Sequence, residues 1–140
     1  MSKNRKKIKK YQTSNNRFKE ELEPPKNISF SFKYWQSNHE KFSVRDCETT
    51  YFFTLLERLK NFSTWTVQEL LSNRSSAIRC HPIGWNDTTE DGFGLPNEEQ
   101  LVDTPYQLSI STSGHGRIHG FFIGDIFYIV WLDPKHLLYS

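Results

Sequence analysis

The sequence predicts an α+β fold: an antiparallel twisted sheet with an N-terminal strand, and two helices packed on one face of that sheet. Three observations indicate it. Residues 28–34 alternate between apolar and polar side chains, residues 50–62 repeat apolar side chains every three or four positions, and residues 117–132 form a hairpin pattern. A period of two is typical of a half-buried strand, and a period of three to four is typical of an amphipathic helix. This order of elements favours helices layered on a sheet.

Length and composition bound the domain organisation. A chain of 140 residues can bury one hydrophobic core. Residues 1–26 are polar, rich in Lys and Asn, and close with Pro24 and Pro25, which form a stiff extended boundary. We therefore expect a basic, disordered arm over residues 1–26 and a single α+β domain over residues 27–140.

The chain shows neither a signal peptide nor an apolar run of about 18 residues, the length needed to cross a membrane. We therefore expect a cytoplasmic protein without a membrane partner. Cys47 and Cys80 are isolated, so we expect reduced thiols and not a disulfide. The sequence offers no cluster of carboxylates and histidines, so we expect no metal site and no cofactor.

The first strand and the first helix follow from their apolar positions. Residues 28–34 carry their apolar side chains on one side, at Ile28, Phe30, Phe32 and Tyr34. Residues 50–62 place five apolar side chains on one side of a helix, at Phe52, Leu55, Leu56, Leu59 and Phe62. We expect both apolar sides to be buried.

A second helix begins shortly after the first one ends. Thr66 and Glu69 match a capping box, because a Thr side chain can bond the backbone three residues on while the Glu side chain bonds back. Trp65 and Leu70 match the hydrophobic staple that flanks such a cap. We therefore predict a helix to about Asn73, which forms an αα-hairpin with the first helix.

The C-terminal half of the chain predicts a three-strand antiparallel meander. After a long surface loop of Gly, Pro and acidic residues, residues 106–112 alternate, with Gln107 and Ser109 outward. The final hairpin turns at Gly124 and Asp125, which suit a type II′ turn. Counting back from this turn predicts four cross-strand pairs: Ile123–Ile126, Phe121–Tyr128, His119–Val130 and Arg117–Leu132.

The predicted hairpin has one apolar face and one mixed face. The apolar face, expected to pack on the helices, consists of Ile118, Gly120, Phe122, Phe127, Ile129 and Trp131. The mixed face, expected to border a site or solvent, carries Arg117, His119, Phe121 and Tyr128. For His119 a second interpretation stays open, that of a hydrogen-bonded histidine inside the core.

Charge is distributed unevenly along the chain. Residues 1–33 carry ten Lys and Arg against three Glu, whereas from residue 80 onward two basic residues stand against eight acids. A basic arm of this kind adds affinity for nucleic acid or a ribosome through counterion release. The alternative, with equal weight, is a solvated tail without a partner.

Residues 106–139 resemble the RelE-type toxins of the RelE/ParE superfamily. The likeness lies in a strand with the motif Gly116-Arg117-Ile118-His119-Gly120, a tight turn, a second strand, and the tail Pro134-Lys135-His136-Leu137-Leu138-Tyr139. The resemblance implies a RelE-toxin-like fold and a toxin-like RNA endonuclease of a toxin–antitoxin system, which cleaves mRNA without a metal. The implied partners are mRNA, either free or on the ribosome, and a cognate antitoxin protein.

The resemblance also implies roles for particular side chains. The expected catalytic residues are Arg117, His136 and Tyr139. Arg117 would hold the scissile phosphate, His136 would act as base or acid, and Tyr139 would stack on a base or donate a proton. The expected substrate-binding residues are His115, His119, Phe121, Tyr128 and Lys135.

A second function stays open from the same residues. A non-catalytic protein-interaction module of a mobile element or defence system would use the same sheet face, with Phe121 and Tyr128, to bind another protein. A nuclease requires Arg117 and at least one of the His or Tyr side chains named above to converge on one phosphate. An interaction module requires only an exposed apolar patch.

Overall fold

A computed structural model describes residues 26–111 and 114–139, so that residues 1–25 of the predicted arm lie outside the described part. The protein is an α+β fold. Its elements in chain order are β1 (Ser29–Ser31), α1 (Thr49–Phe62), α2 (Val67–Ser72), β2 (His81–Pro82), a 3₁₀ turn (Trp85–Asp87), α3 (Glu98–Leu101), β3 (Pro105–Ser109), β4 (Arg117–Ile123) and β5 (Ile126–Asp133). None of the helices within these two ranges is long and apolar enough to span a bilayer.

The five strands form one sheet in the order β1-β5-β4-β3-β2. The predicted antiparallel meander of β3, β4 and β5 is confirmed. β1, however, runs parallel to β5, with Ser29 beside Ile126 and Ser31 beside Tyr128, so the prediction of a purely antiparallel sheet is wrong. The physical reason is distance along the chain: a parallel pair needs a long crossover, and here the two helices and the meander supply it.

A β-bulge changes the register of the final hairpin. The pairs Ile123–Ile126 and Phe121–Tyr128 are confirmed, but the register shifts between His119 and Gly120. The predicted partners of the next two inward positions are therefore wrong: His119 faces Trp131 and Arg117 faces Asp133. A bulge of this kind inserts one extra residue into one strand.

Glycine is required at the bulge. A Cβ atom at Gly120 would overlap the carbonyl oxygen of Tyr128 and would lie 2.8 Å from the ring of Phe127. The bulge also alters which face each later residue occupies, because Trp131 joins the core on the far side of the sheet while Leu132 joins the helix side. The sequence pattern had placed these two side chains the other way round.

The two helices cover one sheet face, as predicted. The capping box is present: Thr66 Oγ1 accepts the backbone N–H of Glu69 at 3.1 Å, and Glu69 Oε1 accepts the N–H of Thr66 at 3.1 Å. The buried face of α1 is narrower than predicted, since Leu56 is 63% exposed and Phe52 is 37% exposed. The side chains that α1 does bury against the sheet are Leu55, Leu59 and Phe62.

A second hydrophobic cluster covers the opposite face of the sheet. Its buried members are Phe42, Ile83, Phe93, Phe121, Val130, Trp131 and Leu138. They come from the sheet and from the segments that precede α1, follow β2 and follow β5. This face was expected to border a site or solvent. At Phe121 and His119 it does not border solvent, because both side chains are fully buried.

Candidate active site

The buried polar side chains identify one end of the sheet. Among the residues that the structure describes, five polar or charged side chains are buried: Gln107, Ser109, Arg117, His119 and Asp133. They lie on the face opposite to the helices, in two neighbouring rows across the strands. Buried polar groups are costly unless they are paired. The partners of these side chains therefore decide whether their burial is tolerated.

The first row, which we call the inner row, runs across the strands through His81, Gln107 and His119. Its hydrogen bonds fix two histidine tautomers. His81 Nδ1 lies 2.8 Å from the carbonyl oxygen of Pro82 and must donate to it. His81 Nε2 then accepts from Gln107 Nε2 at 3.0 Å, and Gln107 Oε1 accepts from His119 Nε2 at 2.8 Å. His119 Nδ1 is left as a buried lone pair without a partner.

His119 is unsuited to proton transfer at neutral pH. Its side chain is fully buried, and burial is the main cause that lowers its pKa to about 3. The nearby His136, His81 and Arg117 lower the pKa further, because each carries or can carry positive charge. His119 is thus the hydrogen-bonded core histidine that the sequence left open as its second interpretation.

In the outer row, Ser109, Arg117 and Asp133 are Cα partners across three strands. Arg117 Nη1 donates to the carbonyl oxygens of Gly114 at 2.9 Å and Gly116 at 3.0 Å, while its Nε finds no partner within the described chain. Burial, followed by the charge of Arg79, lowers the pKa of Arg117. Arginine nevertheless stays cationic at neutral pH. Arg117 therefore fixes the turn before β4 and brings a positive charge to this end of the sheet.

The Asp133 carboxylate caps the turn that follows β5. Its carboxylate accepts the backbone N–H of Leu137 at 2.8 Å and that of Leu138 at 3.1 Å. Burial raises the pKa of Asp133 even though both hydrogen bonds favour the ionised form. Residues 134–138 are thereby held in a tight turn against the end of the sheet.

His136 occupies the centre of that turn. Its backbone is left-handed, with φ of 55°. Partial burial is the main cause that lowers the pKa of His136, and the positive charge of Arg117 acts in the same direction. Its imidazole is therefore neutral at pH 7 and can accept a proton. The ring centroid of His136 lies 6.2 Å from that of Tyr139, which lies 5.7 Å from that of His81.

The structure brings together some of the predicted site residues. Arg117, His115 and Arg79 all act on the pKa of His136, and Lys135 precedes His136 in the same turn. Tyr139 packs beside His136, with its hydroxyl held by the backbone N–H of Gly84. Arg79, His115, Arg117 and His136 form what we call the basic cluster. The exposed Lys135 precedes His136 in the chain, but its charge acts on Cys47.

Other predicted site residues lie elsewhere. The rings of Phe121 and Tyr128 stack on each other at 5.4 Å, and Tyr34 covers both at 5.8 Å and 5.4 Å. Phe121 is fully buried, and His119 lies below the surface in the same core. The side chains of Phe121 and His119 cannot contact a substrate directly in this conformation.

Four residues of the site escaped the sequence pattern: Arg79, His81, Gln107 and Asp133. The alternation of residues 106–112 correctly placed Gln107 and Leu108 on opposite faces of the sheet. It predicted that the face of Gln107 is exposed, whereas that face is covered by a second core. Arg79 has a left-handed backbone, with φ of 48°, which nothing in its local sequence indicates. For Asp133 the sequence indicated only a capping role toward Lys135 or His136.

Within the described ranges, no group of three or more His, Cys, Asp or Glu side chains is arranged to hold a metal ion. Cys47 and Cys80 are both free thiols. Burial is the main cause that raises the pKa of each thiol, to about 11 for Cys80, so neither is an activated nucleophile at neutral pH. No protein-family model, no curated protein and no solved structure matches this chain.

Proposed function

We propose that this protein is a toxin-like RNA endonuclease, related in fold and chemistry to the RelE-type toxins, that cleaves mRNA without a metal and is countered by a cognate antitoxin protein. The observation that carries the proposal is the placement of His136. Its imidazole is partly exposed, its pKa is lowered, and it lies among positively charged side chains at the end of the sheet.

Backbone strain supports a functional role for this place. Three non-glycine residues of the described chain have a positive φ, namely Arg79, Asn97 and His136, and two of them belong to the basic cluster. A left-handed residue other than glycine costs on the order of 1–2 kcal/mol. Such strain concentrates at functional sites, because elsewhere a glycine at the same position would relieve it.

The chemistry follows from the protonation states. The neutral imidazole of His136 takes the proton of an RNA 2′-hydroxyl, whose oxygen then forms a bond to the adjacent phosphorus. Arg79, whose side chain is exposed, pairs with the phosphate oxygens, and the charge of the buried Arg117 stabilises the negative charge that grows on them without contact. The P–O5′ bond breaks as the exposed His115 supplies a proton to the leaving oxygen. The products are a 2′,3′-cyclic phosphate and a 5′-hydroxyl.

Tyr139 takes the stacking role in this proposal. Burial is the main cause that raises its pKa, and its hydroxyl already accepts a hydrogen bond from the backbone of Gly84. Its ring is held between His81, by an edge contact, and His136, by a tilted contact, which suits an aromatic surface for an unstacked RNA base.

The test uses His136→Asn. Asparagine tolerates the left-handed backbone but has no titratable ring. With end-labelled RNA and purified protein, we expect cleavage to fall by about 10²- to 10⁴-fold, the usual contribution of a positioned base. Arg74→Ala, which removes an exposed arginine a few residues before Arg79, is the control and keeps full activity.

The same variants are then expressed in cells, where new mRNA 5′ ends and growth are followed. Growth arrest with cleavage sites that disappear in His136→Asn agrees with the proposal. Folded wild-type protein that leaves RNA intact, both alone and with ribosomes, would contradict it. Equal cleavage by wild type and His136→Asn would contradict the assigned base.

A second candidate function has its own observation. α1 exposes three large apolar side chains in one stretch, with Phe53 at 66%, Leu56 at 63% and Phe52 at 37%. An exposed patch of this kind marks a surface for protein contact. A protein-interaction module would therefore use α1, since the face that carries Phe121 is covered. Binding that Phe53→Ser abolishes, together with RNA left uncut by wild type, would favour this function.

A further inference from the structure

We infer that Asp133 is a positioning residue that holds His136 in place for the proposed cleavage, and this inference rests on the proposed function of the site. Asp133 ends β5 in the outer polar row, with no exposed surface. His136 lies three residues later, at the centre of the turn that the Asp133 carboxylate closes. No part of the RNA contacts Asp133 in this scheme.

The geometry of the turn shows how the carboxylate acts. Oδ1 accepts the N–H of Leu137 and Oδ2 accepts the N–H of Leu138, while the backbone carbonyl of Asp133 lies 3.4 Å from the N–H of His136. Three successive backbone donors thus converge on one residue. The backbone between them must reverse direction, which places His136 at φ of 55°.

A tight turn requires neither a buried acid nor a left-handed histidine, and each of them lowers the stability of the fold. Glycine at position 136 would adopt the left-handed backbone without strain. Among the described residues, the ionisable side chain in direct contact with the Asp133 carboxylate is the neutral His119, whose Nε2 lies 3.9 Å away, while Arg117 and His136 act on Asp133 only through their charge. A buried carboxylate without a direct ion pair is unfavourable. A turn whose role is to position an imidazole accounts for both the buried Asp133 and the left-handed His136.

The charge of Asp133 also acts on the pKa of His136. The charged or titratable groups that act on the pKa of His136 are Asp133 from its own turn, Arg117 and His115 from β4 and the loop before it, and Arg79 from the segment before β2. Of these, only Asp133 raises the pKa. His119 is coupled to His136 as well, and Tyr139 contacts its ring. Removing the carboxylate therefore leaves His136 among positive charges alone.

The experiment compares wild type with Asp133→Asn in the full chain. Asparagine keeps one acceptor oxygen but loses the charge and the second acceptor. The ring nitrogens of His136 are titrated by NMR, and RNA cleavage is measured as a function of pH. Asp125→Asn, in the turn at the opposite end of the same hairpin, is the matched control, and circular dichroism checks that each variant folds.

We expect the titration midpoint of His136 to fall in Asp133→Asn and the acid limb of the cleavage profile to shift to lower pH with it. Cleavage at pH 7 should drop by about 10- to 100-fold, since small misplacements of a catalytic group are costly. Asp125→Asn should change neither. In the His136→Asn background, Asp133→Asn should have no further effect on cleavage, because the two residues act as a unit.

An unchanged midpoint of His136 in folded Asp133→Asn overturns the inference, whether or not wild type cleaves RNA. A lower thermal stability with the acid limb unmoved also overturns it, because a purely structural role predicts that pattern. If wild type fails to cleave RNA while the midpoint shifts as expected, the placement of His136 by Asp133 stands and the proposed function fails.

Discussion

His119 and Asp133 are both fully buried, and burial moves their pKa values in opposite directions. Burial disfavours whichever form carries charge, so the histidine loses its proton more easily and the acid keeps its proton more tightly. Their side chains are 3.9 Å apart, yet at neutral pH the histidine is uncharged. The contact is therefore a close approach of a neutral ring to a carboxylate and not an ion pair.

The low pKa of His119 predicts acid sensitivity. The unfolded chain binds a proton at this residue below about pH 6.5, whereas the folded protein does so only near pH 3. Protons therefore favour unfolding throughout that window, and stability falls as the pH falls. Between pH 7 and pH 5 the free energy of unfolding should drop by about 2 kcal/mol on account of this residue. Urea unfolding at a series of pH values measures it.

The control for this prediction is His119→Gln, which keeps an amide for the bond to Gln107 but does not titrate. The raised pKa of Asp133 works in the opposite sense, because the folded state then holds a proton more tightly than the unfolded state. The readout is accordingly the difference in pH slope between wild type and His119→Gln. Parallel slopes for the two proteins would show that His119 is not buried in its neutral form.

The β4–β5 hairpin depends on one glycine. At Gly120 the backbone of β5 and the ring of Phe127 occupy the space that a Cβ would need. We expect Gly120→Ala to lower the free energy of unfolding by about 1–3 kcal/mol, the usual cost of overpacking, because a backbone carbonyl cannot move aside as a flexible side chain can. Chemical denaturation of the two proteins measures this difference.

Gly84→Ala is the control for that substitution. Its nearest neighbour to a new Cβ is Asp87 Oδ2 at 3.4 Å, and its φ of −95° suits any residue. The change in stability should stay within about 0.5 kcal/mol. Equal effects of the two alanines would mean that the bulge relaxes around a side chain, and that glycine is not required there.

The sequence predicted those elements whose determining residues lie close together in the chain. The capping box of α2 needs only Thr66 and Glu69, three residues apart, and it was predicted correctly. The narrow buried face of α1 and the bulge at Gly120 depend on what packs against them from elsewhere in the chain. The parallel partner of β1 lies almost a hundred residues away, and no local pattern indicates it.

The candidate site shows the same division. The resemblance in residues 106–139 pointed to Arg117, His136 and Tyr139 because they belong to one continuous stretch. Arg79 and His81 reach the same end of the sheet through the pairing of β2 with β3, which a reading along the chain does not show. The folded roles of Asp133 and His119 required knowledge of which sheet faces are covered.

Charge is segregated over the whole molecule. The basic residues before β1 lie mostly in the part of the chain that the structure does not describe, whereas the later half is acidic apart from the basic cluster. If the proposed function is correct, the arm adds salt-dependent affinity for RNA. Replacing Lys6, Lys7, Lys9 and Lys10 with Gln should flatten the plot of log affinity against log salt, lowering its slope by up to about 3.

Binding of a non-cleaved 2′-O-methyl RNA, measured at several salt concentrations, provides this slope. Gln substitutions at Lys60 and Arg74, both exposed on the domain, serve as the charge control. An unchanged slope in the arm variant would mean that the arm is a solvated tail. RNA affinity would then have to come from the basic cluster alone.

The pairing of β1 with β5 has a consequence for the time at which the sheet can be completed. β1 is made early, but its partner strand Ile126–Asp133 follows almost a hundred residues later. At elongation rates of about 5–20 residues per second, the early strand waits for roughly 5–20 seconds on the ribosome before the sheet can close. Arg117, Asp133 and His136 also emerge late, so a nascent chain interrupted before β5 carries no assembled site.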